Sequence, residues 1–163
     1  LLANIKDLTD EEEIADYLGK IITKDAGDGS GLIYGFGHAI YTLSDPRAKI
    51  LKKNAKKLSA EKGMTDIYEF YKRVEKLVPS VFENVKGSKK VICANVDFYS
   101  GFVYDMLGIE SDLFTPLFAV SRIAGWCAHR IEEITYGGRI IRPAYRSMVK
   151  PTGYVPLDER TAD

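Results

Sequence analysis

Apolar positions recur at helical spacing through most of the first 135 residues of the 163-residue chain. Thr9-Asp-Glu-Glu12 reads as a capping box, and Ile14, Leu18, Ile21 and Ile22 then give one face of a short amphipathic helix. It should end before the Gly/Asp-rich stretch 25–31. A second helix begins at Asp45-Pro46, with Asp as N-cap and Pro at the first helical position, and runs to about Lys62, where Gly63 closes it. Ala48, Leu51, Ala55 and Leu58 form its inner face. The third helix, capped by Thr65-Asp66, has the longest periodic run, from Ile67 through Phe70, Tyr71, Val74, Val78 and Val81 to Val85. Pro79 should kink it.

Val91-Ile-Cys-Ala-Asn-Val96 has strand propensity but no partner of its own kind, so strand and coil both stay open. A helix then follows Asn95, burying Phe98, Phe102 and Leu107 and stopping at Gly108. Ser111 or Asp112 opens the last long helix, through Thr115-Pro-Leu-Phe-Ala-Val-Ser-Arg122 to Glu133, whose Ala119, Ser121, Ala124, Gly125 and Ala128 suit close helix contact. From Thr135 the periodicity fails. Gly137-Gly138, Pro143, Pro151, Gly153 and Pro156 punctuate a basic tail, of a kind that wraps a surface or stays disordered. The expected class is all-α, with lead-in helix and linker over 1–30, a small helical domain with a functional loop over 31–112, and a helix plus irregular tail over 113–163.

Charge excludes more than it suggests. The 23 basic and 23 acidic residues cancel, leaving no general attraction for nucleic acid or acidic membranes. No apolar run approaches the roughly 20 residues of a membrane span. Cys93 and Cys127 are too few for a disulfide framework, so a cytoplasmic setting is expected. The lysines of the second helix (49, 52, 53, 56 and 57) read as a solvated face, with a phosphate-bearing ligand as the alternative. The two cysteines and two histidines lack zinc-ligand spacing. Gly35-x-Gly37 lacks the strand–helix context of a dinucleotide loop. The chain begins Leu1-Leu-Ala without Met, and is expected to be a piece of a longer protein.

A few polar residues sit where a core would not explain them. His38 follows two closely spaced glycines, Arg47 opens a helix, Asp97 lies between Val96 and Phe98, and Arg122 sits among Val120, Ile123 and Ala124. An arginine in apolar surroundings needs an anion. On residue types alone, an Asp97–Arg122 ion pair with a core histidine accounts for the pattern better than an anion site does.

Longer motifs reverse that order. Gly35-Phe-Gly-His-Ala-Ile-Tyr41 with Asp45-Pro-Arg-Ala48 resembles the signature of the citrate synthase family. So do Asn95-Val-Asp-Phe-Tyr-Ser-Gly101, Phe114-Thr-Pro-Leu-Phe-Ala-Val-Ser-Arg122, Gly125-Trp-Cys-Ala-His129 and Arg139-Ile-Ile-Arg-Pro143. The resemblance covers roughly residues 10 to 145. It implies a small helical domain plus part of a large one, from an enzyme condensing acetyl-CoA with oxaloacetate to citrate and CoA. Asp97 then matches the base that takes the acetyl methyl proton, and His38 the histidine that polarises the oxaloacetate carbonyl. Arg47 and Arg122 match arginines on the substrate carboxylates, and Arg142 one that the family donates across a homodimer. Gly31, Leu32, Ile33, Tyr34, Gly35, Phe36 and Gly37 match the backbone that recognises CoA. Acetyl-CoA is a substrate, and no metal or other cofactor is implied.

Two departures stand out. Ala39 occupies a position where the family usually has arginine, and a second catalytic histidine would precede residue 1. The isolated chain is therefore expected to be inactive. The alternatives are a 2-methylcitrate synthase and a non-catalytic helical binding or assembly module.

Overall fold

The longest periodic run in the sequence becomes a helix on which the neighbouring helices pack. In the computed structural model, which describes residues 2–88, 90–137, 153–156 and 159–160, that helix spans Thr65–Lys86. The order is a 3₁₀ turn at Leu2–Asn4, α1 Glu11–Thr23, α2 Pro46–Glu61, α3 Thr65–Lys86, α4 Val96–Met106, a 3₁₀ turn at Ser111–Leu113 and α5 Phe114–Thr135. The protein is all-α, with no strand among the described residues.

Local chemistry sets most helix ends. Asp10, not Thr9, caps α1, because its carboxylate reaches both Glu12 N–H (2.9 Å) and Glu13 N–H (3.1 Å). Glu13 turns back to accept from Lys6 N–H and Asp7 N–H, so the acidic first turn ties down the segment before it. Asp45 caps α2, with Pro46 at its first position. The N-cap of α3 is Met64, which supplies no side-chain bond, and Thr65 is already helical. The helix runs on through Pro79. Gly87, with φ 61°, closes it.

Two apolar clusters follow from these faces. Ile14, Leu18 and Ile22 of α1 pack with Ile5 and with Phe70, Val74, Val78 and Val81 of α3. Ala55 of α2 packs with Tyr68 of α3 and with Tyr99, Phe102 and Met106 of α4. Full burial of a Leu, Ile or Phe side chain stabilises by about 1.5–3 kcal/mol. Tyr71 and Phe98 touch both clusters and join them. Phe98 is half-buried and Leu107 exposed, against the expectation for both. α4 ends at Met106, so Leu107 already lies beyond its packed face.

The segment with strand propensity makes only a single antiparallel bridge, Phe36 to Ala94. Gly37 N–H donates to Cys93 O (2.9 Å) and Asn95 N–H to Gly35 O (2.8 Å). The ladder stops there because Gly35 (φ 86°) and Gly37 (φ 84°) bend the partner out of the extended region. A Cβ on Gly35 would lie 2.8 Å from Phe98 Cα and Cβ, whereas one on Gly37 would meet nothing within 4 Å.

The chain divides into two compact units, Leu1–Val120 and Ser121–Asp163, with α5 running from the first into the second. In the first, Phe114 at the start of α5 sets its ring 5.0 Å from Tyr104. In the second, the helix carries an Arg130–Glu133 ion pair at 2.6 Å. No side chain of α5 is buried. Of the small residues suited to close helix contact, Ala119 is half-buried and Ser121, Ala124, Gly125 and Ala128 are exposed. Arg142 and the rest of Arg139–Pro143 lie outside the described residues.

The glycine pair yields a paired prediction. Gly35→Ala combines left-handed strain with a clash on Phe98, and should lower the unfolding free energy by about 2–4 kcal/mol. Gly37→Ala carries only the strain, about 1–2 kcal/mol. Urea midpoints of the two variants, compared at equal slope, check the difference.

Candidate active site

The site begins with a loop hydrogen-bonded to the segment that leads into α4. Gly37 is held at its N–H by Cys93 O and at its carbonyl by Asn95 Nδ2 (2.9 Å). His38 follows directly. Its Nδ1 accepts from Ile40 N–H (3.0 Å) and Tyr41 N–H (3.1 Å), and its ring leans on Tyr41 at 4.8 Å between centroids. With Nδ1 occupied as an acceptor, the neutral imidazole carries its proton on Nε2.

Arg47 Nη2 lies 3.4 Å from that Nε2. The guanidinium is already braced: Nε donates to Asp45 Oδ1 (3.0 Å) and Nη2 to Asp45 Oδ2 (2.8 Å), a bidentate pairing. Arg47 N–H also donates to Asp45 Oδ1 (2.9 Å), so one carboxylate caps the helix and holds its arginine. Nη2 retains a second hydrogen, which sits beside the Nε2–H of His38. Two N–H groups that cannot bond each other are thus presented side by side, an arrangement suited to an oxygen with negative charge.

Electrostatics agree. Asp45 is buried, yet the hydrogen bond from Arg47 outweighs burial and lowers its carboxyl below the usual range. Arg47 is raised, first by its hydrogen bond to Asp45 and also by the charges of Tyr41 and Asp97. Arg47 stacks against Tyr41 as well, 5.6 Å from ring centroid to guanidinium carbon.

Asp97 is exposed in the first turn of α4, where the helix dipole favours a carboxylate. Its N–H is capped by Asn95 Oδ1 at 3.0 Å. Asp97 also lines a mainly apolar cleft of about 580 Å³, together with Leu32, Ile33, Tyr34 and Gly35 of the loop and with Tyr71 and Phe98. At this cleft, Tyr34 O–H donates to Asp28 Oδ2 (2.6 Å). Bonds from Ser30 and from Tyr34 bring Asp28 down to about 2.

Of the residues singled out in the sequence, His38 and Arg47 meet directly, and Asp97 shares its cleft with loop residues 32–35. Arg122 lies on α5 in the second unit. Asp45 was legible only as a helix cap and Asn95 only as the residue before a helix; their longer reach, to a guanidinium and to the glycine loop, was not. No cluster of three metal-ligating side chains occurs among the described residues.

Fold and site together define an all-α domain that carries a His–Arg donor pair and a helix-borne aspartate whose charge reaches the arginine. The chain belongs to the citrate synthase family, whose C-terminal domain model matches residues 1–144. It is similar to citrate synthase 2 of Bacillus subtilis, 45% identical over 130 residues, 78% of this chain and 32% of that protein. A 2-methylcitrate synthase of Shewanella oneidensis is 38% identical over 158 residues, 96% of this chain and 38% of the relative. A solved citrate synthase from Thermoplasma acidophilum, in ternary complex with carboxymethyl coenzyme A and oxaloacetate, superposes with a TM-score of 0.60 at 32% identity. That match covers 98% of this chain and 45% of the solved one. The chain therefore spans about a third of the length of the curated relatives it matches.

Asp45 gives the pH test. Its folded carboxyl lies below the unfolded value of about 3.9. Its stabilising contribution is therefore present above pH ~4 and is lost as pH falls through the lowered folded value. Asp45→Ala should cost about 2 kcal/mol at neutral pH, through the lost cap and the released guanidinium. Asp45→Asn should flatten the acid limb below pH ~4. Urea unfolding from pH 2 to 7 checks both.

Proposed function

We propose that this chain supplies one wall of a citrate synthase site, in a protein that condenses acetyl-CoA with oxaloacetate and hydrolyses the product thioester to citrate and CoA. The observation that carries the proposal is the pairing of His38 Nε2–H with Arg47 at 3.4 Å, fixed from behind by two backbone amides and by Asp45. Oxaloacetate offers a ketone oxygen and carboxylates to such a pair. His38 donates to the ketone as it gains alkoxide character, and Arg47 takes a carboxylate with the donors Asp45 leaves it. Asp97 removes the methyl proton of acetyl-CoA and returns to carboxylate afterwards.

The cleft between Asp97 and loop residues 32–35 supports thioester entry from that side, with Gly31 to Gly37 as the CoA-binding backbone. Arg122 and Arg142 complete the carboxylate contacts, Arg142 from the partner in a homodimer. Residues 31–112 then form the small domain, and 113–163 join the large domain and the dimer contact. Acetyl-CoA is consumed rather than resident, and the activity belongs to the tricarboxylic acid cycle in the cytoplasm. No helix among the described residues is long and apolar enough to cross a membrane.

A 2-methylcitrate synthase reading has one observation in its favour, the match to such an enzyme over 96% of the chain. Propionyl-CoA would replace acetyl-CoA, with the same residues in the same roles.

Thiol release from acetyl-CoA that requires oxaloacetate tests the reading. Polypeptide 1–163 alone should release none, because a second histidine is needed to steady the enol of acetyl-CoA. The whole protein should release thiol, and Asp97→Ala should lower its rate by roughly 10²–10⁴-fold. Activity undiminished in Asp97→Ala would overturn the assignment. Faster release with propionyl-CoA would select the second reading.

A further inference from the structure

We propose that Asn95 is a positioning residue, whose single amide sets the spacing between His38 and Asp97 by holding both of their segments at once. This rests on the assignment above of Asp97 as base and His38 as carbonyl donor. Nδ2 of Asn95 donates to Gly37 O at 2.9 Å, across 58 positions of sequence. Oδ1 of the same amide accepts from Asp97 N–H at 3.0 Å. Only one orientation of the side chain satisfies both, because a carbonyl oxygen can only accept and a peptide N–H can only donate.

The anchors are immediate neighbours of the chemistry. Gly37 precedes the histidine by one peptide, and the capped N–H belongs to the aspartate itself. From imidazole to carboxylate the shortest bonded route therefore runs through one planar amide. The rings of Phe36 and Phe98 also bridge loop and helix, 4.7 Å apart, but apolar rings can slide where directional bonds cannot. The backbone pair Asn95 N–H to Gly35 O and Gly37 N–H to Cys93 O docks the loop as a whole. Only the side-chain amide ties the carbonyl next to His38 to the N–H of Asp97. An error of about 1 Å in such a spacing can cost on the order of 10²-fold in rate.

Asn95→Asp separates positioning from capping. Aspartate caps helices as well as asparagine does, but it has no N–H for Gly37 and sets a carboxylate against that carbonyl. Asn95→Ala removes both functions. The readout is the imidazole ¹H–¹⁵N spectrum of the ligand-free 163-residue chain, which has only two histidines, exposed His129 serving as the internal control. The wild-type chain should show His38 as a pure Nε2–H tautomer. Asn95→Asp should keep the helical circular dichroism and the amide shifts of α4, yet move His38 toward averaged tautomers and shift the amides of Ile40 and Tyr41. His129 should not change.

Unchanged His38, Ile40 and Tyr41 signals in Asn95→Asp would overturn the proposal. So would loss of helicity in Asn95→Asp equal to that in Asn95→Ala, since the amide would then serve the fold alone. These spectra need no substrate. If the whole protein proved unable to form citrate, the functional assignment would fall on that assay, while the linkage between loop and helix would still be decided by the tautomer.

Discussion

Everything in the first unit is referred to the ring of Phe98. Its centroid lies 4.7 Å from that of Phe36, 5.1 Å from Tyr71 and 5.1 Å from Tyr99, so one side chain touches the loop, α3 and its own helix. The two apolar clusters meet there. Backbone at residue 35 lies so close to Phe98 that no side chain fits between them. Absence of a Cβ at that position lets the loop descend far enough for its carbonyls and amides to pair with residues 93–95. The glycine loop and the hydrophobic core thus share one contact.

Charge is managed by the same economy of parts. Asp45 is almost fully buried, and a lone buried carboxylate would be costly. It is acceptable because it ends a helix and meets a guanidinium in one geometry, which leaves Arg47 braced but still partly open to an incoming anion. An arginine free to swing would lose rotamer entropy on binding; this one has given up most of that freedom in folding. His38 is treated alike. Two backbone N–H groups fix its tautomer before any ligand arrives.

Much of this was legible in the sequence where the physics is local. Periodicity over five turns located α3, and Asp45-Pro46 marked the start of α2 to the residue. Thr9 fits a capping box by its spacing to Glu12, whereas Asp10 reaches two amides and prevails as the cap of α1. Val91–Val96 left strand and coil open, since β-branched residues favour extension but a strand needs a partner of matching length; a single bridge forms. Long motifs singled out His38, Arg47 and Asp97, but not how they are held. The amide of Asn95 bridges 58 positions, and Tyr99 reaches Glu75 across 24. Pairings at such separations follow from tertiary packing, which no local pattern encodes.

One of these distant pairings limits how α4 can turn. Tyr99 O–H donates to Glu75 Oε2 at 2.7 Å, and Lys52 Nζ pairs with the same oxygen, so α2, α3 and α4 converge on a single atom. Burial and the neighbouring carboxylate keep the Tyr99 phenol protonated far above the usual tyrosine range. Phe98 and Tyr99 are consecutive, and about 100° of helical rotation separates them. α4 is therefore pinned at two azimuths and cannot roll about its axis without breaking one or the other. The backbone of Asp97 is thereby held at a fixed rotation relative to α2 and α3, while its exposed side chain keeps its own rotamers.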